Sequence, residues 1–413
     1  MLLRSRILYP VASPPIDDGA VWIIGGRLRA VGPFAEMASL AGEHPIDLGE
    51  CILMPGLVNA HCHLDYTGFA GLIAPPSGFT SWVKQLITLK AQWSYTEFAE
   101  SWLSGMRQLV QSGTCTVGDI EAVPELLPDV LPFTPIRVHS FRELIAVRSR
   151  ARARDLTSDA VGELDQLSRG HHQFGLSPHA PYTTSQDLVR EVATQCRQRG
   201  WKWTMHVAES TEESEMFSHR RGVMHDWLKS QRDMNDCGNH SPFEWLENTG
   251  TLNADCLMVH ANGLNPNEIT RLALAGSPVV HCPRSHEYFR HSPFPAQAMK
   301  KAGVNLCLGT DSLASTESQR NHLPRLDMFS EMMVFRRSHP EFTDTEVVEM
   351  ATVNGAKALG MEGETGTLRP GLSADLIAVP WNGSLAESAS AIVHHSEGLK
   401  ASMCFGRWNM APL

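Results

Sequence analysis

What the chain lacks narrows its class first. It has no C-x-x-C pair, and its 9 cysteines are scattered. An odd, irregular set suits a reducing cytoplasm better than a secreted disulfide framework. The opening stretch MLLRSRILYPVASPPIDDG has no apolar segment of ~7–15 residues before a small-residue cleavage site, so a cytoplasmic location is expected. The longest run without a charged residue, Tyr66 to Val83, is broken by Pro75, Pro76 and glycines. It is not a membrane helix of ~20 residues. Basic residues number 35 against 45 acidic ones, for a net charge of −10. A nucleic-acid binder usually carries a basic patch or stripe, so neither nucleic acid nor membrane is expected as a partner. There is no repeat of fixed period and no low-complexity tract. At 42% hydrophobic and 19% charged residues, the chain is too apolar for intrinsic disorder.

What is present is a long chain rich in histidine, with 413 residues and 19 histidines. That length admits several domains of ~100–200 residues or one large barrel. Both ends are β-rich. Leu2–Tyr9 and Ala20–Val31 lie near the start, and Gly25-Gly26 is a two-residue hairpin signal. Residues 375–379 and 404–408 read as strands near the end. Residues 1–55 and 365–413 are too short to stand alone, and are expected to pair into one small β-sandwich.

Residues 56–364 alternate between strand and helix signals. Eight apolar strand candidates run over Leu57–His63, Thr114–Ile120, Ile136–Leu144, Phe174–His179, Trp203–Val207, Cys256–His260, Pro278–Cys282 and Asn305–Asp311. Amphipathic patterns over Thr96–Ser112 and Ser185–Arg199 are followed by Gly113 and Gly200, which act as stop signals. Thr343-Asp-Thr-Glu346 is a capping-box pattern, opening a helix expected to end near Gly360. The expected fold is α/β, a (β/α)8 barrel of the TIM type. An open doubly wound sheet would place a Gly-rich loop after its first strand; here that strand runs into Asn59-Ala-His-Cys-His63.

In such a barrel the active site lies at the C-terminal strand ends. Strand alternation puts His61 and His63 on one side and Cys62 on the other. Later strand ends carry His179, His206 with Glu209, His260, His281 with Arg284, and Asp311. Each alone is more often structural than functional. Together they are a costly way to stabilise a fold, because buried acids and imidazoles need partners or a metal.

Met54-Pro-Gly-Leu-Val-Asn-Ala-His-Cys-His63, Ser177-Pro-His-Ala-Pro-Tyr182, His206-Val-Ala-Glu209, His260, Leu308-Gly-Thr-Asp311, Ala351-Thr-Val-Asn-Gly-Ala-Lys-Ala-Leu-Gly360 and Gly371-Leu-Ser-Ala-Asp-Leu376 occur in this order. The chain thereby resembles the amidohydrolase superfamily, in the branch of cytosine, guanine and S-adenosylhomocysteine deaminases and triazine hydrolases. Phe79-Thr-Ser-Trp82 and Cys282-Pro-Arg-Ser285 are similar to members acting on aminofutalosine-type adenine nucleosides, although related members often have Asn at the position of His286.

The resemblance implies that His61, His63, His206 and Asp311 ligate one divalent metal. Glu209 would be the proton shuttle, His260 would orient the attacking water or the substrate, and His179 would contact the substrate. Strands three and four carry no lysine, which argues against a second metal. Zn²⁺ suits this N/O donor set, and Fe²⁺ is also suited. Such a metal lowers the pKa of water from ~15.7 toward ~7. The implied reaction is hydrolytic deamination of an amino-substituted N-heterocycle, purine nucleoside-like, with release of ammonia. Cyclic-amide hydrolysis or triazine dechlorination would use the same site.

A non-catalytic binding protein on a degenerate barrel would lack ligands, and none is missing. The H-x-E and P-C-x-x-C pattern of zinc cytidine deaminases is absent. Around the site, residues 71–82 are expected to form a loop over the mouth, with Phe79 and Trp82 either stacking on a planar ring or packing the loop onto its own helix. Glu143 is expected to bind a ribose or exocyclic amine, or to pair with Arg142 or Arg148. Arg284 is expected to contact substrate or to form a loop ion pair, and the role of His281 is open. The partner is a small-molecule substrate, and a homodimer or larger homo-oligomer is compatible with the composition.

Overall fold

The computed structural model describes residues 1–74, 77–147, 151–167, 170–318 and 323–412. The terminal segments contribute β1 (Leu2–Leu8), β2 (Ile16–Ile24), β3 (Arg27–Pro33), β4 (Ile46–Asp47) and β5 (Cys51–Pro55) from the front of the chain. The central strands are β6 (Leu57–Cys62), β7 (Thr114–Glu121), β8 (Arg137–Leu144), β9 (Gln173–Pro178), β10 (Trp203–Val207), β11 (Cys256–His260), β12 (Val279–His281) and β13 (Leu306–Leu308). From the back come β14 (Leu376–Pro380), β15 (Ala401–Cys404) and β16 (Arg407–Met410).

β6 to β13 form one eight-stranded parallel sheet in sequential order, and helices cover its outside. All eight strands expected from the sequence are present. Strands buried on both faces read as continuous apolar runs, and those of this sheet are buried almost throughout. Val58, Ala60, Ile120, Phe141, Leu257, Val259 and Val280 fill the barrel interior. Between β13 and β6 the sheet is joined differently. Thr310 and Asp311 donate backbone N–H bonds to the His61 carbonyl at 3.0 and 3.1 Å. The Asn59 amide donates to Thr310 Oγ1 at 2.8 Å.

The terminal strands form a single hydrogen-bonded sheet, β16-β15-β14-β5-β1-β2-β3, with β4 paired to β1. The expected sandwich is thus one continuous sheet with a core of its own, including Leu3, Val21, Leu53, Leu376 and Met403. Gly25 and Gly26 both take positive φ, 58° and 78°, the geometry of a tight two-residue hairpin. Arg137 in β8 reaches down to Asp375 at 2.7 Å, and this buried ion pair links barrel to sheet.

Two local expectations differ. Phe79 and Trp82 do not lie in a loop: they begin the helix Phe79–Lys90. Its first N–H groups are held by Glu212, which accepts from Phe79 at 3.1 Å and Thr80 at 2.7 Å. A carboxylate from a distant segment therefore supplies the cap that local sequence does not. The helix opening at Thr343 also does not run through to Gly360. It stops at Met350, and a second helix spans Val353–Ala358. The break frees the Ala351 carbonyl to accept from Val58 at 2.8 Å, at the start of β6.

Candidate active site

β6 delivers two imidazoles to one place. A register irregularity against β7 between Asn59 and Cys62 brings His61 and His63 to the same interior end of the barrel. Their rings lie 5.0 Å apart, and that of His61 is 4.9 Å from His206. Asp311 Oδ1 lies 3.6 Å from Nε2 of both His61 and His63. Three overlapping groups of donor atoms, each within 4.8 Å, result: His61, His206 and His260; His61, His63 and Asp311; Glu209, His260 and Asp311.

These donors suit a metal ion. Both ring nitrogens of His61 and Nδ1 of His63 are buried without a hydrogen-bond partner, and orphaned buried polar atoms are costly. His206 Nδ1 donates to the His179 carbonyl at 2.9 Å, which leaves Nε2 as the free lone pair. Burial, together with neighbouring imidazoles, holds His63 and His206 well below the usual histidine pKa. Both are therefore neutral, as metal ligation requires. For Asp311, burial acts upward, but the close imidazoles of His61, His260 and His63 dominate and hold its carboxyl well below the usual range. Ser285 Oγ donates to Asp311 Oδ2 at 2.7 Å, and Ser315 Oγ does so at 3.2 Å. Asp311 Oδ1 accepts the Ser312 N–H at 2.8 Å.

Glu209 follows β10 and is buried, with Oε1 3.5 Å from His260 Nε2. Burial raises its pKa well above the usual carboxyl value, and the charges of Asp311 and Glu213 add to that. Burial also pulls His260 down to about 3. Burial thus favours the neutral form of both partners, the imidazole and the carboxylic acid. The backbone at this end is unusual. Ala208, His260, Ala261 and Asp311 all have φ between 53° and 71°, a left-handed region that non-glycine residues seldom occupy.

A cavity of about 290 Å³ opens above these groups. Its walls include Phe79, Trp82, Tyr182, Trp227, Glu143 and His179. Helix Phe79–Lys90 therefore carries its aromatic pair to the mouth, and Trp82 Nε1 donates to the Ala314 carbonyl at 3.0 Å. Glu143 ends β8 and faces His179 Nε2 at 4.0 Å. Arg142 pairs with Glu163 instead, at 3.1 Å, and Arg148 lies outside the described residues. His179 Nδ1 meets Thr183 Oγ1 at 2.6 Å.

Two candidates are not brought to this cavity. Arg284 turns to the buried carboxylate of Glu331, which also accepts its backbone N–H at 3.0 Å. Of the two expectations for it, the structure shows the ion pair and not substrate contact. His281 faces outward, because its neighbours Val280 and Cys282 face the barrel interior. Its ring stacks on Phe294 at 3.9 Å.

Ser285, Asn262 and Asp119 were not singled out from sequence. Ser285 sits beside Arg284, and the Pro283 that opens its helix was the available signal. Asp119 accepts from the Leu64 N–H and from Trp102 Nε1, both at 2.9 Å, and so anchors the turn that follows His63.

A parallel eight-stranded barrel whose strand ends converge histidines and an aspartate on one point defines a metal-dependent hydrolase class. The chain belongs to the amidohydrolase family, whose model matches residues 52–395. Among similar proteins, the 5-methylthioadenosine/S-adenosylhomocysteine deaminase of Moorella thermoacetica is 28% identical over 394 residues, covering 92% of this chain and 85% of that protein. The aminodeoxyfutalosine deaminase of Deinococcus radiodurans is 27% identical, covering 90% and 88%. The fold is shared with Helicobacter pylori aminofutalosine deaminase in complex with methylthio-coformycin, with a TM-score of 0.86 at 17% identity over 99% and 100% of the two chains. It is also shared with a zinc-bound adenosine deaminase from Xanthomonas campestris, with a TM-score of 0.83 at 24% identity over 99% and 92%. Membership makes the chain an enzyme of carbon–nitrogen bond hydrolysis with a small-molecule substrate. Among the described residues, no helix is long and apolar enough to cross a membrane.

Proposed function

We propose that the chain is a mononuclear zinc enzyme that hydrolytically deaminates the adenine ring of a purine nucleoside. The observation that carries this reading is Glu209, buried with Oε1 3.5 Å from His260 Nε2, at the floor of an aromatic-walled cavity. The relatives named as deaminases of adenosine-type nucleosides support it.

His61, His63, His206 and Asp311 would hold the metal, which when bound supplies an acidified water as nucleophile. The Glu209 carboxyl delivers its proton to the ring nitrogen next to the amine-bearing carbon. That carbon becomes a better electrophile as the water oxygen bonds to it. Glu209, now a carboxylate, takes up one proton released by the water and passes it to the departing amine, then takes the second from the ring-bound oxygen as the amine leaves, which restores its acid form. The carbon–nitrogen bond breaks, and ammonia leaves an oxo-substituted ring. His260 hydrogen-bonds the nucleophile through Nε2 and fixes its direction. Phe79 and Trp82 wall the ring's path, His179 contacts the base, and Glu143 accepts from ribose hydroxyls.

Purified, zinc-loaded protein incubated with adenosine-type nucleosides tests this reading through ammonia release and loss of the adenine absorbance. Release of ammonia from nucleosides supports deamination. Hydrolysis of a cyclic amide or chlorotriazine without ammonia would replace it with the second chemistry the site suits.

A further inference from the structure

Glu209 must aim one carboxyl group at both a ring nitrogen and a departing amine, so its backbone has to be held still. Its N–H donates to Glu213 Oε2 at 2.8 Å. Its carbonyl accepts from Asn262 Nδ2 at 2.9 Å. Asn262 follows β11 and is buried. That bond settles which way the amide faces, since only the nitrogen can donate to a carbonyl. Asn262 Oδ1 is therefore turned away from Glu209, toward His286 Nδ1 at 3.1 Å.

An amide oxygen only accepts, so in this bond His286 carries its proton on Nδ1; the ring also hydrogen-bonds the Ser292 backbone. The ring is wedged between two others, 5.2 Å from His281 and 5.5 Å from His291. Burial pulls its pKa down to about 4, which leaves a neutral ring near pH 7 with one proton to place. His286 is not among the residues lining the cavity.

We propose that His286 is a positioning residue for the proton shuttle: its Nδ1–H locks Asn262, and Asn262 locks the carbonyl of Glu209. This rests on Glu209 being the shuttle. The left-handed Ala208 and Ala261 follow the two strand ends, and strained backbone persists only where its surroundings hold it; the relay adds to the backbone bonds from the Ala261 N–H to the Val207 carbonyl and from the Gly263 N–H to the Ala208 carbonyl.

The test compares zinc-loaded wild type with His286→Phe, His286→Asn and Asn262→Ala. Phe keeps a ring without a donor, whereas Asn places an amide N–H near the position of Nδ1. His286→Phe is expected to lower kcat about tenfold with KM and bound zinc unchanged. His286→Asn is expected to restore most of it. In an Asn262→Ala background, His286→Phe is expected to add no further loss, as for residues acting in one chain. Hydrogen exchange in the peptide spanning 207–210 is expected to rise about tenfold in His286→Phe and not in His286→Asn.

Unchanged exchange in that peptide, or additive losses in the double variant, would overturn the proposal. If His286→Phe does not fold, Asn262→Asp carries the same exchange test, because it sets a carboxylate oxygen against the Glu209 carbonyl; unchanged exchange there overturns it equally. Should wild type release no ammonia from any nucleoside, the functional reading fails, while the exchange data still decide the positioning.

Discussion

At the level of single residues, burial raises the pKa of two carboxyl groups four positions apart, Glu209 and Glu213. Glu209→Gln is expected to keep its bound metal and lose about 10²–10⁴-fold in kcat, the usual worth of general acid–base help; metal analysis beside steady-state kinetics checks both halves. Burial raises Glu213 to about 8, against ~4.3 in an unfolded chain. Its native state therefore binds a proton that the unfolded state releases, and the associated stability is lost as pH rises from that lower value through about 8. Glu213→Gln is expected to remove this loss, so its melting temperature relative to wild type should be higher at pH 8.5 than at pH 6 in paired melting curves. The meeting of His61 and His63 was legible because His61-Cys-His63 alternates at a strand end, whereas His206 and Asp311 were reached through the family resemblance. Arg284 was harder, since its ion pair with Glu331 joins residues 47 positions apart, and a single sequence carries no sign of that pairing.

Among the elements, the eight strands could be found because buried parallel strands are apolar along their whole length. The start of helix Phe79–Lys90 could not, because its capping carboxylate lies on Glu212, 133 residues away from Phe79. That dependence is testable. Glu212→Ala leaves two helix-end N–H groups unpaired at a cost of about 1 kcal/mol. It is expected to raise KM with a smaller change in kcat, since the helix carries Phe79 and Trp82 to the mouth. The approach of β13 to β6 is closer still. A Cβ at Gly309 would sit 2.7 Å from the His61 carbonyl oxygen and 2.9 Å from His61 Cβ. Gly309→Ala is therefore expected to push His61 and Asp311 apart and lower metal occupancy, measured by metal analysis after dialysis.

Across the whole molecule, barrel and terminal sheet meet at Arg137 and Asp375, whose side chains are almost wholly buried. Removing one partner strands a buried charge, so Arg137→Met is expected to cost about 3–5 kcal/mol in denaturant unfolding. That the two chain ends would form one β unit followed from each being too short to stand alone. That they form one continuous sheet did not, because strand order across the termini depends on pairings such as β5 with β14, which local sequence does not encode.

The junction of β13 with β6 makes the barrel's circumference unequal. Seven boundaries are laced by strand ladders, whereas the eighth is fastened mainly by the His61 carbonyl, the Asn59 amide and the isolated bridge between Cys62 and Asp311. His61 and His63 stand on one side of that boundary and Asp311 on the other. An ion held by His61, His63 and Asp311 would span that seam as a clasp on a hoop these hydrogen bonds already close. Its removal should loosen the two rims of the seam before the rest of the circumference, so a chelator belongs among the mechanical probes of this fold as well as among its inhibitors.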